Sequence, residues 1–140
     1  MKEEDYPYKG EMKILSPSCK YDASKGVTTI SDFKMIQPND GDCIKNALET
    51  SPITVGVASS SWHFKLYKFG AIDSPDCGTD LDHMILATGY GSYDGTVEYI
   101  EFKNSWGTHW GIDGYVKIKV KYGEEGVCGV NKMPIQPIIN

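Results

Sequence analysis

A chain of 140 residues suits one domain with a core of its own, and equally a piece of a larger unit. Its 14 Lys+Arg and 19 Asp+Glu, a net charge of -5 at pH 7, are dispersed, which argues against a basic face for nucleic acid or an anionic membrane. No run approaches the roughly 20 apolar residues that span a bilayer, and Cys19, Cys43, Cys77 and Cys128 form neither a CxxC pair nor a CxxC…HxxxH zinc pattern, so disulfides or buried thiols are expected and no metal or other cofactor.

The start, MKEEDYPYKG, has no apolar stretch of the secretory-signal kind, so either the chain is cytosolic or a targeting segment lies upstream of Met1. Pro7 disfavours helix at Asp5 and Tyr6, and SPSCKYDASKG reads as loop. VTTISDFKMI alternates as a half-buried strand does. NDGDCIKNALETS predicts a short helix, capped by Asp40 or Asp42, with Ile44, Ala47 and Leu48 at helical spacing and Pro52 as a stop. ITVGVAS, SWHFKLYKFGAI, MILATGYG, VEYIEFK and GYVKIKV are five further strand candidates. With no repeat or linker, the expected class is α+β, mainly β: an antiparallel sheet closed as a barrel or sandwich with one short helix at its side.

SYDGTV joins MILATGYG to VEYIEFK, and Asp-Gly is a strong hairpin signal because both turn positions need positive φ. A turn at Asp94-Gly95 sets Ile85 across from Asn104 and His83 across from Trp106, unless a bulge at Gly89 or Gly91 shifts the register by one. His83 and Asn104 are then two positions apart on neighbouring strands, about 7–8 Å between Cα atoms. An amide oxygen beside an imidazole holds one ring nitrogen and leaves the other for a nucleophile. Trp106 is placed to keep water off that bond.

Taken together, YPY, a helix ending before SPITVGV, FKLYKFGAI, the following CG, LDH, GYG, KNSWGTHWG and a late VCG resemble the papain family of cysteine proteases, the cathepsin L-like branch in particular, over essentially the whole chain. The resemblance implies that residues 1–140 are the C-terminal barrel lobe of that fold, facing a helical N-terminal lobe across a cleft. It makes His83 the catalytic base and Asn104 its orienter, with Trp106 shielding their bond. It makes Trp110 an apolar wall on the leaving-group side, although a tryptophan there also suits a core. Gly56, Leu81, Met84 and Met133 fall where the family lines the pocket for the substrate's second side chain. Met84 replaces the family's usual small residue, so that pocket is either reshaped and still apolar or partly closed. Cys77 and Cys128 fall at the family's late disulfide, and Cys19 at a cysteine that bonds to the other lobe. Such enzymes are lysosomal, vacuolar or secreted.

The family's nucleophile sits in C-G-[SA]-C-[WY] near the mature start, with His and Asn about 130–150 residues downstream. Counting back that far from His83 passes Met1, and no such segment occurs in the 140 residues. Cys43, at a helix N-terminus, is expected to have a somewhat lowered thiol pKa, but a buried small thiol is the plainer role. Cys19 without its partner is either free or bonded to a second chain. His63, at an expected strand start, and His109, in a turn, match no catalytic position. Ser59, Ser60 and Ser61 lack the glycines of a serine-hydrolase elbow.

Three functions follow as expectations. The first is a cysteine endopeptidase lobe whose His83 and Asn104 serve a nucleophile from a missing lobe or second chain, acting on peptide or protein substrates and inactive alone. The second is a non-catalytic papain-like module that binds or builds an assembly. The third is a lone lobe with residual esterase chemistry. An apolar face at Trp106, Trp110 and Met84 is expected to be exposed.

Overall fold

The computed structural model describes residues 1–10 and 18–139. Six strands form one antiparallel sheet: β1 (Ile30–Met35), β2 (Ile53–Val57), β3 (His83–Tyr93), β4 (Val97–Lys103), β5 (Tyr115–Lys119) and β6 (Pro134–Ile139). Their lateral order is β1-β6-β2-β3-β4-β5. The antiparallel, mainly β class expected from sequence is the class observed.

Side chains on a strand alternate between faces, so every second residue of the central strands can share one core. Ile53, Val55 and Val57 of β2, Ile85 and Ala87 of β3, Ile100 and Phe102 of β4, and Val116 and Ile118 of β5 are all buried. Each large side chain so buried contributes about 1.5–3 kcal/mol, and truncating Phe102 to Ala costs about 3–5 kcal/mol. Helix α1 (Gly41–Leu48) packs against β2 and β3 through Ile44 and Ala47. Asp40 is its cap, its carboxylate accepting the Asp42 N–H at 2.9 Å, and the helix ends well before Pro52.

The β3–β4 hairpin reaches its register by two offsetting departures from the simplest pairing. Tyr93 pairs with Val97, so the turn takes in Asp94, Gly95 and Thr96, with φ of 50° at Asp94 and 68° at Gly95. A bulge between Ala87 and Gly89 then removes that one-residue offset, and Ala87 faces Phe102 and Leu86 faces Lys103. Those pairs continue the expected register toward His83 and Asn104.

Three expectations need correction. SWHFKLYKFGAI is not a strand: Ser61 accepts the His63 N–H and caps a one-turn helix, α2 (Trp62–Lys65), which turns Phe64 and Tyr67 into the core. Capping and the three-residue spacing of Phe64 and Tyr67 outweigh the aromatic alternation. His63 accordingly sits on α2, where its Nε2 meets Ser74 Oγ at 3.2 Å.

The sixth strand is instead PIQPII, which its prolines disguise. Pro137 is tolerated because β6 pairs with β2 only at Pro134 and Ile135, leaving β1 alone beside the later residues. Finally, β1 is exposed at all six positions rather than half-buried. It is an edge strand with β6 as its one neighbour. Ser16 and Pro17 of the expected loop lie outside the described residues; the rest of it contains a turn of 3-10 helix at Ala23–Lys25.

Candidate active site

His83 opens β3 and Asn104 follows the last residue of β4, which brings the two side chains together at one end of the hairpin. His83 Nε2 lies 2.9 Å from Asn104 Oδ1. The same oxygen accepts the Ser105 backbone N–H at 2.7 Å. A backbone N–H can only donate, so it fixes which end of the amide is the oxygen. Nε2 must therefore carry a proton and donate, which leaves Nδ1 outside this bond. Asn104 Nδ2 pays for this arrangement, being buried with no partner among the described residues, at a typical cost of about 1–3 kcal/mol.

The ring is also held from the side. Trp106 stacks on His83 with centroids 5.3 Å apart and planes 23° from parallel. Beneath it, Phe64 of α2 meets Trp106 edge-on at 5.4 Å, and Trp110 does so at 5.3 Å. Trp110 is 9% exposed, lies between Phe64 and Tyr67, and donates from Nε1 to the Lys65 carbonyl at 3.1 Å. The expected exposed face at Trp106, Trp110 and Met84 is thus corrected: Trp106 and Met84 are 40% and 41% exposed, but Trp110 belongs to the core. Gly111 follows it with φ of 62°, and a Cβ there would stand 2.3 Å from the Tyr115 carbonyl oxygen, so glycine is required at that point of the loop.

On the other side of His83, Gly56 pairs with Met84 across β2 and β3. The space above Gly56 is filled by Leu81, whose Cδ1 lies 2.7 Å from where a Cβ would stand. Leu81 also presses on Gly129, and Met133 is half-buried. Thus Leu81, and not Met84, takes up the room that Gly56 opens.

The residue before the histidine has a role that its sequence neighbours did not reveal. Asp82 accepts the Ser59 N–H at 2.7 Å, the Ser60 N–H at 3.1 Å and the Ser60 hydroxyl. The hydroxyl bond foremost, then the backbone bonds, outweigh a penalty from burial and pull its carboxyl down to about 2. The serine loop is thereby tied to the residue next to His83. Two serines bonded to an aspartate 22 and 23 residues away offer no local signal of that tie.

The remaining cysteines divide. Cys77 and Cys128 form a disulfide. Cys19 is exposed and free. Cys43 is half-buried with Sγ 3.4 Å from Asp40 Oδ2. Burial first, and the Asp40 carboxylate second, push its thiol up, which reverses the expectation from its place at the helix N-terminus. His109 is exposed, and its carbonyl oxygen accepts Lys68 Nζ at 3.1 Å.

Comparison with known proteins establishes the family. The papain family cysteine protease profile matches residues 1–138. The chain belongs to the papain family of cysteine proteases. Among relatives, Cysteine protease XCP2 of Arabidopsis thaliana is 41% identical over 138 residues, covering 97% of this chain and 37% of its own length. Chymopapain of Carica papaya is 42% identical over 109 residues, covering 77% of this chain and 30% of its own length. The structure of the bromelain protease from Ananas comosus, in complex with the E64 inhibitor, superposes with a TM-score of 0.84 at 30% identity, over 99% of this chain and 62% of that one. The proform of the ragweed pollen allergen Amb a 11, also a cysteine protease, gives 0.82 over 99% of this chain and 41% of its own. This papain-family chain therefore spans little more than a third of XCP2. No helix among its described residues is long and apolar enough to cross a membrane.

Proposed function

We propose that residues 1–140 are the C-terminal lobe of a papain-type endopeptidase, and that His83 and Asn104 serve a cysteine carried by an N-terminal lobe, in the same precursor or a second chain. The observation that carries this reading is the His83–Asn104 bond with its proton assigned to Nε2. That bond can persist while protons move at Nδ1 alone. The cysteine would give its proton to Nδ1 and attack the peptide carbonyl as thiolate. Nδ1–H would then protonate the departing amine as the C–N bond breaks, leaving a thioester. Finally Nδ1 would take a proton from water, which releases the acid and the thiol.

Trp106 keeps water from the His83–Asn104 bond, and Trp110 supports Trp106 from below. Met84 and Met133, over the floor that Leu81 makes at Gly56, form an apolar and shallow pocket for the substrate's second side chain. The Cys77–Cys128 disulfide braces the turns beside Leu81, and Cys19 is the candidate for a bond to the other lobe. A lysosomal, vacuolar or secreted setting goes with this reading and suits the disulfide.

The test fuses the chain behind the nucleophile-bearing half of chymopapain and measures hydrolysis of peptides whose second side chain from the cut is apolar. The fusion should cleave them, with kcat/KM falling by about 10²–10⁴ for His83→Ala and about 10² for Asn104→Ala. A folded fusion that binds peptide and cleaves none, or one indifferent to His83→Ala, would show a binding module instead.

A further inference from the structure

Strand β1 has β6 on one side and, among the described residues, no strand on the other. The ladder shows which of its backbone groups face the open side. Phe33 pairs with Pro137, which has no N–H to give, so theirs is the kind of antiparallel pair that exchanges no hydrogen bonds. Ile36 N–H donates to the Pro134 carbonyl at 3.0 Å, and alternate residues share that direction, so Phe33 and Met35 turn their N–H and C=O to the open edge. Phe33 N–H is accordingly taken by a neighbouring side chain, donating to Asp32 Oδ1 at 2.8 Å.

Charged side chains on an open edge ordinarily discourage a further strand. Those of β1 are self-complementary instead. Asp32 and Lys34 flank Phe33 and share one face of the strand, while Phe33 and Met35, both exposed, share the other. Laid antiparallel beside a copy of itself about a two-fold axis at Phe33, the strand sets Asp32 of each copy opposite Lys34 of the other. Phe33 then meets Phe33, and Ser31 meets Met35. The Phe33 pair exchanges two N–H···O bonds, and the flanking charge pairs are of the closer kind, about 4.5 Å between Cα atoms. Moving the axis by one residue either way sets Asp32 or Lys34 against itself, so charge selects this register.

We propose that a second copy of this chain pairs antiparallel with the open edge of β1, centred on Phe33, so that the two sheets run on as one. Asp32 leaves the Phe33 N–H for Lys34 of the other copy, and the Phe33 carbonyl of that copy takes its place. The contact is isologous, as a two-fold dimer requires. Strands of other sequence meet the same charges without matching them. Neither His83 nor Asn104 takes part, so this contact stands or falls apart from the function proposed above.

The test is light scattering on the 140-residue chain over about a hundredfold range of concentration, where the mass should rise from one copy toward two. Lys34→Asp and Asp32→Lys each put like charges face to face on both sides of the Phe33 pair, and each should weaken dimerisation about tenfold or more. Mixed in equal amounts, the two variants bring opposite charges together again and should recover the wild-type association, which misfolded variants would not do. A wild-type chain that is monomeric throughout leaves the edge to some other partner and overturns the proposal. A dimer that neither variant weakens, or that mixing fails to restore, is built on another surface or register and overturns it equally.

Discussion

Ser105 contributes one backbone N–H to the site, and that donor decides where the proton on His83 resides. It orients the Asn104 oxygen, the oxygen requires Nε2–H, and Nδ1 is left outside the bond. The closeness of His83 and Asn104 was legible in the sequence because strand pairing relates them by count. The Ser105 bond and the Asp82 clamp were not, since both depend on local loop shape that no periodicity encodes. Asp82 supplies a pH prediction. Its carboxyl is held at about 2, below the ordinary value of 3.8, chiefly by the Ser60 hydroxyl. A depressed acid stabilises the fold above its unfolded pKa and loses that contribution as pH falls through the folded one. The thermal stability gap between the wild-type chain and Asp82→Asn should therefore be constant above about pH 5 and close between about pH 4 and 2. A gap that stays unchanged to pH 2 would remove the clamp from the account.

At the scale of elements, the β3–β4 hairpin shows how two local departures can leave a site where simple counting places it. The longer turn at Asp94–Thr96 and the bulge between Ala87 and Gly89 each move the register by one, in opposite senses. Asp-Gly announced the hairpin; its turn length and bulge depend on how the strands twist together. Helix α2 was hidden for a related reason. Its single turn is set by the Ser61 cap and by core space for Phe64 and Tyr67, while Trp62 and Leu66 remain exposed. The Cys77–Cys128 disulfide joins two short 3-10 turns across a sequence separation of 51. Spacing alone did not identify that pair; it was expected from family resemblance. Replacing both cysteines with Ala should lower unfolding stability by about 2–4 kcal/mol in urea titration. An unchanged midpoint would mean that the Pro75–Cys77 and Val127–Gly129 turns are held by packing alone.

At the scale of the molecule, the strands share one buried core while several large apolar side chains stay exposed. Phe33 of β1 is 63% exposed, and Trp106 and Met84 are each two-fifths exposed beside His83. The chain covers 62% of the bromelain chain and 37% of XCP2. The class of the fold was legible from strand-like runs and turn residues, whereas the exposure of β1 was not, because alternation predicts a buried face without naming what buries it. The central claim is that His83 and Asn104 are set to hold a thiolate supplied from elsewhere. The most direct measurement is the pH dependence of iodoacetamide labelling of the nucleophile in the chymopapain-half fusion. Labelling should persist down to about pH 4, as for a cysteine paired with an imidazolium, and in His83→Ala it should be lost below about pH 8, near the ordinary thiol pKa. Identical labelling curves for the two proteins would contradict the account.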